Sequence, residues 1–149
     1  MGIEEATPMG NSTPEQIEKL VREHFKAKAE CDRVALKAQF AADVVVWTPL
    51  SLTSRGFVER PTVGADKLID IIASDYFYKK DGREWIVEDY VSDGSKVSVR
   101  ATLRATIAAT GLPYENSYTF FYRLENNQIA ESWEAFDTAF AADQVRPTG

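Results

Sequence analysis

From Lys96 to Ala108 the chain alternates: Val97, Val99, Ala101, Leu103, Ala105 and Ile107 on one parity, Ser98, Arg100, Thr102, Arg104 and Thr106 on the other. A period of two puts the first set on one face of a strand, so this is a half-buried antiparallel strand. A turn at Asp93-Gly94 separates it from Trp85–Val91, and two more strands follow at Tyr114–Leu124 and Ile129–Asp137. Upstream the period changes. Thr13-Pro14-Glu15-Gln16 is a helix start, with Thr13 as cap, Pro14 in the first turn and Gln16 closing a capping box. Ile17, Leu20, Val21 and His24 recur at helical spacing, with Phe25 at the edge of the stripe. Asp32 caps a second helix predicted to run through Ala42, with Leu36 and Phe40 four apart on its buried side. Asp43–Thr48 is a β-branched run stopped by Pro49, a first strand. Residues 51–61 show no period and are expected to be a loop. Helical spacing returns from Gly64 to about Phe77 through Leu68, Ile72 and Tyr76, and Lys79-Lys80-Asp81-Gly82 breaks it. Three helices followed by a long meander predict an α+β class, with the helices packed on one face of a curved antiparallel sheet.

The 149 residues, 44% of them apolar, suffice for one domain with a single core, expected over residues 13–145 between a disordered lead at 1–12 and a short tail at 146–149. The net charge of −6, with scattered Lys and Arg, argues against nucleic acid and anionic membrane as partners. No apolar run approaches the roughly 20 residues needed to span a bilayer. One cysteine, Cys31, can form no internal disulfide, and with a single histidine the chain offers no metal cluster. A reduced, cytoplasmic setting is expected, with no metal.

The C-terminal quarter carries the chemistry. Tyr114-Glu115-Asn116-Ser117-Tyr118, Phe120-Phe121-Tyr122 and Ile129-Ala130-Glu131-Ser132-Trp133-Glu134-Ala135-Phe136-Asp137-Thr138 are aromatic strands with polar groups set among them. Such a surface can line a pocket. With Phe40-Ala41-Ala42-Asp43 before Val44-Val45-Val46-Trp47, and Gly64-Ala65-Asp66-Lys67-Leu68 opening the third helix, these segments resemble the SnoaL-like, ketosteroid-isomerase-related branch of the nuclear transport factor 2 superfamily over residues 14–142. The resemblance implies a cone-shaped sheet around a ligand cavity and a homodimer formed by outer sheet faces. Ketosteroid isomerases carry a general-base Asp where this chain has Thr48, and an oxyanion-hole Asp on a strand where Tyr118–Leu124 offers no carboxylate. Limonene-epoxide hydrolases carry a carboxylate in the last strand, at the place of Glu134, but their Arg and Asp two apart are matched here only by Arg100 and Thr102.

Glu134 is therefore the leading catalytic candidate, and its face depends on the preceding turn. A two-residue turn at Asn126-Asn127 sets it opposite Thr119; a three-residue loop over 125–127 sets it opposite Tyr118, on one surface with Asn116, Phe120 and Ser132. The second register is preferred, because related chains usually carry Gly where this one has Asn127. Among Tyr118, Phe120 and Phe136 a carboxylate is desolvated and suited to general acid–base work, while Asn116 and Tyr118 can donate to an oxyanion. The competing reading pairs Glu134 with an Arg and gives it only a structural role. His24 has the titration range for proton transfer, against the plainer reading of a core histidine. Trp47, Tyr76, Trp85 and Tyr114 are further candidates for an apolar substrate pocket.

Three functions remain open. The first is a cofactor-independent enzyme moving a proton on a small, largely apolar polyketide, terpenoid or steroid-like molecule by isomerisation, cyclisation, dehydration or epoxide opening. The second is a non-catalytic module that binds a hydrophobic ligand or assists a partner enzyme. The third is a dimerisation domain with a vestigial pocket.

Overall fold

The protein is seen in a computed structural model that describes residues 11–145. Helix α1 (Pro14–Glu30) opens with the predicted capping box, in which Thr13 Oγ1 accepts from Gln16 N–H and Gln16 Oε1 from Thr13 N–H. Asp32 caps α2 (Arg33–Gln39) by accepting from Ala35 N–H. The chain continues through β1 (Phe40–Trp47), α3 (Leu50–Ser54), β2 (Thr62–Val63), α4 (Ala65–Ile72), β3 (Glu84–Ser92), β4 (Lys96–Thr106), β5 (Pro113–Glu125), β6 (Gln128–Phe136) and α5 (Thr138–Val145). The class is α+β, as expected. The six strands form one curved, unclosed sheet in the order β2-β1-β6-β5-β4-β3. All neighbours run antiparallel except β1 and β6, which are parallel, so the sheet is mixed.

One sheet face packs on the helices. Val97, Val99, Ala101, Leu103 and Ala105 of β4 and Tyr114, Tyr118, Phe120, Tyr122 and Leu124 of β5 are buried against Ile17, Leu20, Val21 and Phe25 of α1. The opposite face is polar and carries exposed ion pairs, among them Arg100 with Asp89 and Arg104 with Glu115.

Four elements differ from the sequence expectation. Helix α2 stops at Gln39 instead of Ala42, because Phe40 turns extended (φ −98°, ψ 141°) and pairs with Ile129 in the parallel ladder. The expected loop at 51–61 holds α3. Helix α4 ends at Ile72, five residues early, and its last turn is sealed by Arg83: the guanidinium donates to the carbonyl oxygens of Ile72 (3.0 Å), Ser74 (3.0 Å) and Tyr78 (2.6 Å). These bonds hold 73–78 as irregular chain. Helix α5 has no counterpart in the sequence reading.

The lead and tail lie outside the described residues, save Asn11 and Ser12. Ser12 is buried against the β3–β4 and β5–β6 turns, its N–H donating to Gly94 O (2.8 Å) and its hydroxyl to Asn127 Oδ1 (2.7 Å).

Candidate active site

The β5–β6 hairpin decides which way Glu134 points. Its turn has two residues, Asn126 and Asn127, both left-handed (φ 52° and 58°), the conformation that Asn tolerates best after Gly. Glu125 pairs with Gln128 and Leu124 with Ile129, but Arg123 then pairs with Glu131, leaving Ala130 as an extra residue. This bulge shifts β6 by one, and Glu134 falls opposite Phe120 with Phe136 opposite Tyr118. The expected three-residue loop and the expected partner Tyr118 are both corrected. The face is nevertheless the expected one, since the bulge adds the residue that the loop was meant to supply.

Glu134 thus joins a cavity of about 200 Å³ between the sheet, α1, α4 and the 48–58 segment. Its wall is mostly apolar and aromatic. Of the residues singled out in sequence, Glu134, Tyr118, His24, Trp85, Phe120, Ser132 and Phe136 line it. Thr48, which stands where an isomerase base would be, also lines it, with a buried hydroxyl that has no hydrogen-bond partner.

Four expected residues do not reach the cavity. Trp47 lies on the other face of β1, where its indole N–H donates to Glu131 Oε2 (2.8 Å) and Arg60 covers its ring. Tyr76 was placed by extending the period of α4; because that helix ends early, Tyr76 is 77% exposed. Asn116 and Tyr114 are buried one layer behind the wall. The Asn116 amide N–H₂ donates to Tyr114 OH (2.8 Å) and Asp137 O (3.1 Å), and its Oδ1 accepts from Ser117 N–H (2.9 Å). Its polar atoms are engaged, so it offers none to an oxyanion. Tyr114 OH in turn lies 3.1 Å from Tyr118 OH, and Tyr78 belongs to the same hydroxyl cluster. Asn116 therefore acts on the cavity only through Tyr118.

His24 is fully enclosed, edge-on to Phe40 (5.1 Å) and Tyr122 (5.6 Å), with Nδ1–H donating to Gln39 Oε1 (2.8 Å). Burial, with the nearby Lys28 charge, pushes it down to about 3, so it is neutral at physiological pH. A neutral ring already bonded through Nδ1 is poorly suited to proton donation.

The sequence reading missed Lys28. It continues the stripe of α1 one turn past His24, and is 7% exposed with its ammonium inside the cavity wall. Nζ lies 3.9 Å from the Phe120 ring centre, 4.3 Å from Trp85 and 4.8 Å from Phe25. Extending the 17-20/21-24 spacing by four finds it, although lysine on an apolar stripe is easily discounted as a snorkelling side chain. Burial pushes Lys28 down to about 8, with Glu134 pulling the other way; burial raises Glu134, with Lys28 opposing. Among the described residues, neither Nζ nor the carboxylate has a hydrogen-bond partner, and the two do not close a salt bridge. The site is an acid–base pair, coupled electrostatically but without a direct hydrogen bond, in an aromatic cavity. No group of His, Cys, Asp and Glu among the described residues is arranged to hold a metal ion.

A curved sheet wrapped over helices around a lined cavity defines a domain of nuclear transport factor 2-like fold. The chain belongs to the SnoaL-like domain family, whose model matches residues 21–132. Solved structures share the fold. A protein named as a SnoaL-like polyketide cyclase from Jannaschia sp. CCS1 superposes with TM-score 0.72 at 15% identity over 98% of this chain and 100% of that one. IdmH of Streptomyces antibioticus, named as a polyketide cyclase, gives 0.69 at 21% identity over 86% and 96%. A protein with a ketosteroid isomerase-like fold from Catenulispora acidiphila DSM 44928, in complex with trimethylamine, gives 0.70 at 17% over 92% and 96%. At such identities the likeness is one of fold. No curated protein matches the chain. No helix among the described residues is long and apolar enough to cross a membrane.

Proposed function

We propose that the cavity is the active site of a cofactor-independent enzyme that moves a proton on a small, largely apolar molecule of polyketide, terpenoid or steroid type. The observation that carries this reading is Glu134: a half-buried carboxylate on an aromatic wall, without the donors that a structural carboxylate gathers. Desolvation raises its basicity, with Lys28 opposing, which favours a carboxylate that takes a proton and returns it. Tyr118, oriented from behind by Tyr114 and Asn116, would hold a ligand oxygen, and Trp85, Phe120, Ser132 and Phe136 would shape the apolar binding surface. His24 would serve as a neutral, fixed wall residue. The cyclase names of the fold relatives agree with a polyketide-like substrate class. We propose also that a second copy of the chain covers the outer aromatic pair Phe121 and Trp133, 40% and 37% exposed and 5.7 Å apart.

The test uses cyclohexanone in D₂O, following exchange of its α-protons by NMR. The wild-type protein should accelerate exchange and Glu134→Gln should lose about 10²-fold or more of that rate, with ligand quenching of Trp fluorescence retained. Equal rates for the two proteins would defeat the catalytic reading and leave a hydrophobic-ligand-binding module.

A further inference from the structure

Removing a proton next to a carbonyl needs somewhere for the electrons to go, and the wall offers neutral hydroxyls, such as those of Thr48 and Tyr118, beside the Lys28 ammonium. Asn116 is engaged one layer back, and the Tyr118 hydroxyl belongs to the tyrosine cluster. Lys28 differs from both. Its Nζ lines the cavity, faces Glu134 without touching it, and has no hydrogen-bond partner among the described residues.

We infer that Lys28 is a nucleophile that condenses with a ketone or aldehyde carbonyl of the substrate to form a Schiff base, with Glu134 as its acid–base partner. The inference rests on the reading of this cavity as a proton-transfer site and adds to it a covalent step and a carbonyl-bearing substrate class. The neutral amine adds to the carbonyl carbon, forming a C–N bond, and the nitrogen proton passes to oxygen to give a carbinolamine. Protonated Glu134 gives its proton to the hydroxyl, the C–O bond breaks, and water leaves an iminium and a carboxylate. That carboxylate takes the α-proton while the C–H electrons flow to nitrogen, giving an enamine. Reprotonation at carbon and addition of water reverse the sequence and return the free amine.

Two features favour this chemistry over a fixed ammonium. Burial lowers the basicity of Lys28 to about 8, so a useful fraction is free amine near neutral pH. The iminium then carries its positive charge where the Phe120, Trp85 and Phe25 faces already surround Nζ, at 3.9, 4.3 and 4.8 Å. The aromatic cage that accommodates the lysine charge would stabilise the charged intermediate.

The experiment is reductive trapping of the full chain with cyclohexanone and sodium cyanoborohydride near neutral pH, read by intact mass and peptide mapping. The expected result is one cyclohexyl group on Lys28, added at least about tenfold faster than on any surface lysine. Lys28→Met should lose that adduct while keeping its circular dichroism spectrum. Lys28→Arg, which keeps the charge but cannot form the imine, should lose both the adduct and α-proton exchange. Labelling spread over surface lysines with Lys28 unmodified would overturn the inference, as would full exchange activity in Lys28→Arg. Failed trapping with Glu134-dependent exchange intact removes the Schiff base alone. Trapping at Lys28 without exchange removes the proton-transfer reading and leaves the nucleophile.

Discussion

Replacing Lys28 by Met should make the protein more stable at neutral pH, an unusual expectation for a buried residue with aromatic contacts. Folding takes Lys28 from an ordinary value of 10.5 to about 8. At 1.36 kcal/mol per unit, the charged form costs about 3 kcal/mol when both states are protonated. Methionine keeps the length and apolar stem and removes the charge. Loss of the cation–π contacts takes back up to about 2 kcal/mol, so the net gain is about 1–3 kcal/mol, or a rise in Tm of roughly 3–9 °C for a domain of this size. The folded value lies below the unfolded one. Below about pH 8 both states hold the proton and the full cost stands; between pH 8 and 10.5 only the unfolded state holds it, so stability rises with pH; above 10.5 the cost is gone. The gap between variant and wild type should thus be widest near pH 7 and close toward pH 10.5. Of the other groups facing Lys28, His24 stays neutral throughout, Tyr78, Tyr118 and Tyr122 are pushed up by burial, and comparing the two proteins cancels them to first order. Glu134 does not cancel. Without its cation it is harder to ionise, so Lys28→Met/Glu134→Gln should be the most stable of the three proteins. Urea melts near pH 7 and pH 10 measure all of this. A methionine variant equal to or weaker than wild type at pH 7, or a gap that ignores pH, would refute the reasoning.

Three further outcomes are expected. The ring signals of the single histidine should show no titration near 6.5 by NMR, and because His24 is pushed down to about 3, stability should fall with acid below pH 6.5 by up to about 1.4 kcal/mol per unit from this group; a folded-state midpoint near 6.5 would contradict its burial. Arg83→Ala leaves the carbonyls of Ile72, Ser74 and Tyr78 without this donor and should cost about 2–4 kcal/mol in a urea melt, and a loss under about 1 kcal/mol would mean the 73–78 segment holds itself. Trp133→Arg should convert a dimer to a monomer in size-exclusion chromatography with light scattering while leaving the circular dichroism spectrum unchanged; an unaltered mass would clear that face of the proposed contact.

The regular parts of the fold were legible because each has a local cause. The alternation through 97–107 needs no tertiary information to define a face, and Thr13 and Asp32 cap helices with their own side chains. What escaped depends on distant partners. Phe40 leaves its helix because Ile129 is waiting in β6, and α4 ends where an arginine eleven residues beyond Ile72 collects its carbonyls. Tyr76 and Trp47 were misplaced for the same reason, as a period says which residues share a face but not where an element stops or which face meets the helices. Lys28 was visible in the stripe and was missed because charge argued against burial.

The extra residue at Ala130 works like a frameshift in the sheet. Side chains on a strand have two phases, and one unpaired residue changes the phase of everything after it. Were Ala130 instead paired with Arg123 in unbroken alternation, Glu134 would fall opposite Thr119 on the solvent side and its neighbours Trp133 and Ala135 would turn inward, without altering any residue of the cavity. In a chain of this kind the chemistry of the last strand is specified as much by counting as by composition. A relative one residue shorter here could therefore lose the bulge and keep its carboxylate inward, whereas one of equal length with a regular ladder would turn it out.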